Sequence, residues 1–209
     1  MNDITSFEII GMFSEIAASV SRNSLWLSRL DSIAGDGDHG EVMAATFMAM
    51  EHQLAALDPS SVTPARVFDM AAETFLMTDS ASAKLYASAF RRAGSRLPGR
   101  NVITVDEFHL AFQAMASGII DHGQVNAPHK NMVDAWQPAL VAYDAARNDG
   151  GDLGHCLTAA ADAALAGAEP DPDSTQSDTL PFAHPDKVMD PGCASAVLIM
   201  RSMRYALQE

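Results

Sequence analysis

Helix-start signals punctuate this chain so regularly that little besides helices fits between them. Thr5-Ser6-Phe7-Glu8 reads as a capping box with Thr5 as N-cap, and Ile4 and Ile9 are placed to form the accompanying hydrophobic staple. Thr104-Val105-Asp106-Glu107 is a second box. Thr63-Pro64 and Asp190-Pro191 each set an N-cap before a proline at the first helical position, where the absent N–H is not missed. Apolar stripes of helical period follow these starts, as in Phe7, Ile10, Phe13 and Val20, whereas alternating β-branched runs are almost absent. The fold class is all-α.

Caps and breaks together predict eight helices. The first runs from the Thr5 cap to about Leu30, and its pattern allows an irregularity at Asn23-Ser24. After the loop 31–40 the second covers about 41–57 and stops at Asp58-Pro59; the third runs from the Thr63 cap to about Met77, and the fourth over about 82–93. The fifth covers roughly 105–121, and the last three are placed at about 132–148, 152–168 and 191–207, with a Pro-, Asp- and Ser-rich loop at 167–187 before the last. That loop is long enough to suggest a mobile or functional element. The four-residue break at 148–151 makes its flanking helices an antiparallel pair. No repeat or linker divides the chain, so residues 1–209 are expected to form one domain.

Composition narrows the function classes. Thirteen Lys and Arg against twenty-seven Asp and Glu leave a formal charge of -14, which repels phosphodiester backbones and anionic bilayers and speaks against nucleic acid and membranes as partners. Cys156 and Cys193 cannot make a disulfide scaffold, the N-terminus lacks a basic, apolar leader, and no apolar run approaches the ~20 residues of a membrane span. The expectation is a reduced, soluble, cytoplasmic protein.

The densest chemistry lies in the loop Leu30-Asp31-Ser32-Ile33-Ala34-Gly35-Asp36-Gly37-Asp38-His39-Gly40. Asp31, Asp36 and Asp38 fall between two helices in a stretch whose glycines let the backbone fold tightly enough to aim several oxygens at one place. Carboxylates with no thiolate and one nearby imidazole suit Mg²⁺, Mn²⁺ or Ca²⁺ rather than zinc. An EF-hand does not fit, because glycine stands where a third acidic ligand belongs and position six is not glycine. A solvated acidic turn whose aspartates cap helices is the competing reading.

The run ending GDGDHG resembles the signature of the dihydroxyacetone kinase L domain, DhaL, the nucleotide-binding subunit of those kinases. Later segments follow the family's order: SASAKLYASAF is similar to its SGPLYG-type stretch, PHKNMVDAW to GDKTMxDA, and DPGCAS to DPGAxS. The resemblance implies a closed, mostly antiparallel barrel of eight helices whose loops at one end hold two Mg²⁺ ions and ADP or ATP. It also implies a DhaK-like partner that carries the ketose on a histidine, and leaves room for a phosphotransferase-system protein as phosphoryl donor. Asp31, Asp36 and Asp38 match the magnesium aspartates; His39, Gly40, Ser82, Gly123, Met132, Asp190, Pro191 and Gly192 match nucleotide contacts, Met132 on the adenine. No side chain is singled out as catalytic. For several of these a plainer role stays open: His39 as a brace for the aspartates, Ser82 as an N-cap, Met132 as core, Asp190-Pro191-Gly192 as a helix start.

The departures from the family pattern are specific. Asp79 and Ser80 replace two glycines before the serine motif, Ala83 replaces the glycine after it, and Lys84 stands for proline, where it could offset the charge of Asp79. Pro128-His129-Lys130-Asn131 keeps only the lysine of GDKT, and the stretch 174–189 holds no arginine, leaving His184 and Lys187 as substitutes for the family's clamp. The implied activity is phosphoryl transfer from an adenine nucleotide to a short-chain ketose, dihydroxyacetone by default, with no turnover in the absence of the partner. The alternatives are a non-catalytic regulatory or scaffold subunit that keeps the fold and metal and, on the three aspartates alone, a metal-dependent phosphatase-like helical enzyme.

Overall fold

The structure is a computed structural model and describes residues 3–33, 35–123, 129–170 and 188–208. Strand β1 (Asp3–Thr5) leads into α1 (Ser6–Arg22), α2 (Ser24–Asp31), α3 (His39–Ala55), α4 (Pro64–Leu76) and α5 (Ala81–Gly94). Strand β2 (Val102–Thr104) then precedes α6 (Val105–Ile120), α7 (Val133–Asn148), α8 (Leu153–Ala168) and α9 (Pro191–Leu207). Both capping boxes form, Thr5 with Glu8 and Thr104 with Glu107, and the Thr63 and Asp190 side chains accept from the backbone N–H groups of Arg66 and Cys193. The cap signals therefore place these starts directly, and the other predicted boundaries differ from the observed ones by no more than two residues.

The count among the described residues is nine helices rather than eight, because the first predicted helix is broken. At Asn23 the backbone leaves helical geometry (φ -106°, ψ 7°) and the side-chain amide donates to the Ser19 carbonyl at 2.8 Å, giving the chain a local alternative to the helical ladder. The other departure is the antiparallel pairing of β1 with β2, Ile4 opposite Ile103, which no alternating pattern announces over three residues.

The helices close a ring. Helix α1 packs on α3, and α3 through α9 each pack on the next in sequence order until α9 returns to α1; α2 lies outside, against α3 and α9. This is the closed barrel the resemblance implies. Its interior is filled: Phe13 meets Phe68 and Phe90 edge-on at 5.3 and 5.2 Å, Phe47 meets Phe75 at 4.8 Å, and Phe112 stacks on Tyr143 at 4.1 Å. Such pairs each contribute about 0.5–1.5 kcal/mol beyond their burial. The buried apolar residues of all nine helices form one cluster.

Alternation around the ring sends the starts of α3, α5, α7 and α9 to one end. Contacts show it: His39 at the start of α3 reaches Ser82 in the first turn of α5 and Ser195 near the start of α9, while Cys193 of α9 donates to the carbonyl of Asn131 ahead of α7. At the other end the starts of α1, α4 and α6 meet through the β1–β2 pair, the Ser6 hydroxyl donating to the Val62 carbonyl, and the Asn101 amide donating to the Ser60 carbonyl. Among the described residues no helix is long and apolar enough to cross a membrane. Residues 171–187 of the Pro-, Asp- and Ser-rich loop, with His184 and Lys187, lie outside the described residues, as do Ala34 and Pro128.

Candidate functional site

Asp31 is the last residue of α2, and its carboxylate organises the loop that follows. Oδ2 accepts from the backbone N–H groups of Gly37 at 2.9 Å and His39 at 3.2 Å. The loop can wrap this closely because Gly37 takes φ +82°, a left-handed conformation that costs glycine nothing, and because a Cβ on Gly35 would sit 2.3 Å from Asp31 Oδ1. The turn delivers Asp36 and Asp38 to the same place: one oxygen from each of Asp31, Asp36 and Asp38 falls within 4.8 Å of the others. Lost hydration, with the charges of Asp36, Asp31 and Glu41, pushes the Asp38 carboxyl above the ordinary carboxylate range. This electrostatic frustration among hard oxygen donors fits a hard divalent cation.

His39 opens α3 beside this cluster and is half-buried, which lowers its pKa; Asp31 and the Pro191 carbonyl pull in the other direction. Its Nε2 lies 3.1 Å from Ser195 Oγ and its Nδ1 lies 3.5 Å from Ser82 Oγ. Ser82 does not cap α5. Ser80 does, accepting from Ala83 N–H at 3.3 Å, so the hydroxyl of Ser82 is left for His39. Lys84 and Asp79 pair at 2.7 Å on the exposed flank of the same turn, the charge offset anticipated from sequence.

Of the remaining expected residues, Gly40 lies in the first turn of α3, Gly123 just after α6, and Met132, Asp190, Pro191 and Gly192 at the starts of α7 and α9. Gly40 lets α2 cross α3, since a Cβ there would fall 1.9 Å from the Ser24 carbonyl oxygen. Gly123 allows the end of α6 to approach Val133, and Gly192 lies against Met132, which is 4% exposed and belongs to the core. Asp190 caps α9 through Cys193 N–H at 2.8 Å, its carboxyl raised chiefly by burial, and Pro191 follows it as the first helical residue. Lys130, the one residue kept from the family's GDKT, is occupied elsewhere: Nζ donates to the carbonyls of Gly167 at 2.7 Å and Glu169 at 2.6 Å and so closes the C-terminal end of α8.

The structure thus gathers Asp31, Asp36, Asp38, His39 and Ser82 into one cluster and brings Met132 to Gly192 beside it, whereas Gly123 touches Val133 instead of the aspartate loop. Sequence reasoning missed Ser195. It is the serine of DPGCAS, so the motif contained it, but nothing in the spacing paired it with a histidine 156 positions earlier.

Four helix starts around one mouth concentrate unsatisfied N–H groups and positive dipole ends, the usual physics of anion binding, next to an acidic cluster built for a cation. A protein-family model for the DAK2 domain matches residues 33–205. The chain belongs to the DAK2 domain family. The matched segment of this DAK2 domain holds Asp36 and Asp38 and begins just after Asp31. Among curated proteins, the ADP-binding subunit DhaL of a PTS-dependent dihydroxyacetone kinase from Lactococcus lactis subsp. lactis is 31% identical over 149 residues, 69% of this chain and 72% of that protein. The ADP-binding subunit DhaL of PEP-dependent dihydroxyacetone kinase 1 from Listeria innocua is 30% identical over 130 residues, 62% of this chain and 64% of that one. Among solved structures, the native dihydroxyacetone kinase of C. freundii superposes with TM-score 0.69 at 25% identity, over 96% of this chain but only 34% of the C. freundii chain. The complex of that kinase with AMP-PNP and Mg²⁺ gives TM-score 0.70 at 24% identity, a likeness of fold.

Proposed function

We propose that this DAK2 domain, taken as one unit over residues 1–209, is the Mg²⁺-dependent, adenine nucleotide-binding subunit of a cytoplasmic short-chain ketose kinase of the dihydroxyacetone type. The observation that carries the reading is the meeting of an all-carboxylate cluster with four helix starts. A nucleotide polyphosphate needs both: cations to neutralise and align it, and N–H groups to receive its oxygens. Asp31, Asp36 and Asp38 would hold the Mg²⁺, two ions in this reading, which when bound supplies charge neutralisation at the transferred phosphoryl group.

The chain's own residues do the rest. Asp31 fixes the loop through Gly37 and His39 N–H, so the two exposed aspartates arrive pre-positioned. Ser82, oriented by His39, offers a hydroxyl to phosphate, and the backbone around Gly40 and Asp190-Pro191-Gly192 frames the mouth. Met132 against Gly192 forms the apolar floor for an adenine, with Gly123 behind it at Val133. The ketose would be held by a DhaK-like partner, and the names of the Lactococcus lactis and Listeria innocua relatives, PTS-dependent and PEP-dependent, support a phosphotransferase protein as the ultimate donor.

Titration of the purified protein with ADP and ATP in the presence of Mg²⁺ by calorimetry tests the reading; absence of binding up to millimolar concentration overturns it. A second reading, a non-catalytic regulatory or scaffold subunit, draws on the Asp79–Lys84 pair and Ala83 standing where the family has glycines and proline at the α5 turn. Turnover in a coupled assay with a DhaK-like protein eliminates it.

A further inference from the structure

On the outer face of the barrel, α5 and α6 leave an open cleft of about 580 Å³ between them. The two helices touch backbone to backbone where Gly118 meets Ala89, a Cβ on the glycine falling 2.7 Å from the Ala89 Cα. A turn further along, the short side chains of Ser95, Ala114 and Ser117 do not fill the gap, and Arg92, Arg96, Leu110 and Gln113 wall it. No acidic residue lines this cleft, although the chain carries twenty-seven acids against thirteen bases. The local sequence runs against that excess: between Asp79 and Asp106 stand five basic residues and no acidic one. Four of the five are matched, Lys84 by Asp79, Arg92 by Asp121, Arg100 by Glu107, and Arg91 by the charge of Glu73. Arg96, just past the end of α5, has no acidic partner among the described residues.

Other groups in the cleft are uncommitted as well. Ser117 is half-buried, and its hydroxyl makes no hydrogen bond among the described residues. Arg92 spends its terminal nitrogens on Asp121 and His122 and keeps its Nε–H. Gln113 donates its amide to Asp144 at 2.9 Å, which leaves the carboxamide oxygen able to accept. We infer that this cleft is a binding site for a small phosphomonoester with a hydroxylated carbon skeleton. Arg96, Arg92 and Ser117 receive the phosphate, Gln113 accepts from a hydroxyl, and Leu110 covers the carbon chain. Three donors from two helices suit the several oxygens of a phosphate, whereas a carboxylate has two, which a single guanidinium satisfies. The volume is that of a metabolite site and exceeds what a phosphate alone fills. Arg92 lies ten residues along α5 from Ser82, about 15 Å of helix, so the cleft is separate from the mouth and does not rest on the nucleotide reading.

Nitrogen-15 NMR of the full chain, titrated with glycerol 3-phosphate at low ionic strength and without Mg²⁺, decides the matter. The amides of Ser95, Arg96, Ala114 and Ser117 and the Arg96 Nε–H should shift saturably, with a dissociation constant in the low millimolar range or tighter. Arg96→Gln, at an exposed position, should weaken binding about tenfold or more, the size of a charge-assisted hydrogen bond, and Ser117→Ala about three- to tenfold. Arg91→Gln removes the same charge from the same turn but outside the cleft, and affinity should stay within about twofold of wild type. Glycerate, which keeps the hydroxyls and offers a carboxylate, and inorganic phosphate, which lacks the carbon skeleton, should both bind more weakly than glycerol 3-phosphate. Absence of a saturable shift at about 10 mM ligand, or shifts confined to the helix starts at the mouth, overturns the inference. Equal weakening by Arg91→Gln and Arg96→Gln overturns it too, since diffuse attraction then accounts for the binding. Glycerate binding as tightly as the phosphomonoester removes the phosphate preference, and inorganic phosphate binding as tightly reduces the cleft to an adventitious ion site only; either result overturns the assignment.

Discussion

Replacing Gly40 by alanine puts the construction of the metal loop to a quantitative test. The new Cβ would lie 1.9 Å from the Ser24 carbonyl oxygen, 2.7 Å from Ser28 N and 2.8 Å from the Ser24 carbonyl carbon, all backbone atoms that no rotamer can move. Relief requires α2 to separate from α3 by roughly 1 Å, and close-packed interiors resist such shifts. Overpacking of this kind costs typically 1–3 kcal/mol, and with backbone on both sides the upper part of that range, about 2–3 kcal/mol, is expected. With a urea m-value of about 2 kcal/mol/M the unfolding midpoint should fall by roughly 1–1.5 M at constant m. Because Asp31 ends the displaced helix, its bonds to Gly37 and His39 should loosen too, and the Mg²⁺ response should shrink with the midpoint. Gly11→Ala is the contrasting control: this exposed position inside α1 has nothing within 4 Å of a new Cβ, so the same chemical change should stabilise by about 0.5–1 kcal/mol. A Gly40→Ala midpoint within about 0.3 M of wild type, at the m-value used above, would refute the close crossing of α2 and α3.

Mg²⁺ should raise the melting temperature by mass action on the folded state, by about 2.7 kcal/mol at a hundredfold excess over its dissociation constant and hence roughly 5–10 °C for a chain of this size. Asp36→Asn combined with Asp38→Asn should abolish that increment, and a shift equal to wild type in the double variant would contradict the metal assignment. The two serines of the α5 turn should separate by assay: Ser80→Ala loses an N-cap and about 1 kcal/mol of stability, whereas Ser82→Ala leaves the midpoint nearly unchanged and weakens Mg-ADP binding in calorimetry. Lys130→Met should lower stability by about 1–2 kcal/mol and raise amide exchange at the end of α8, since Nζ closes the carbonyls of Gly167 and Glu169; a loss of nucleotide affinity without either effect would return the lysine to the site.

Helix starts were legible because a cap is a local event: Thr5 with Glu8, Thr104 with Glu107, and the prolines at 64 and 191 satisfy or remove backbone donors within four residues. Asn23 was only half legible. An asparagine in a helical pattern warns of competition for the backbone, but whether its amide wins against the helix depends on what α2 packs upon, here α3 and α9. The role of Lys130 was not legible at all, since the carbonyls it closes lie 37 and 39 residues away. In the site, Asp31, Asp36 and Asp38 declared themselves because a glycine-rich loop can gather only what is close in sequence. Ser195 reaches His39 through ring closure, a property of the assembled barrel that no window of sequence contains.

The pairing of Asp3–Thr5 with Val102–Thr104 has a mechanical meaning. Eight rods joined only to their neighbours can shear from a circle into an ellipse without any joint letting go. Counting round this ring, α1 and α6 stand opposite one another, and the two strands that lead into them are tied directly together across the diameter. A diagonal strut of this kind forbids the ellipse at the end where it sits. Among the described residues the other end, where α3, α5, α7 and α9 begin, has side-chain links and no such strut. Among the described residues the packed barrel is therefore braced at its base and unbraced at its rim, and the aspartate cluster with His39 and Ser82 stands at the unbraced rim.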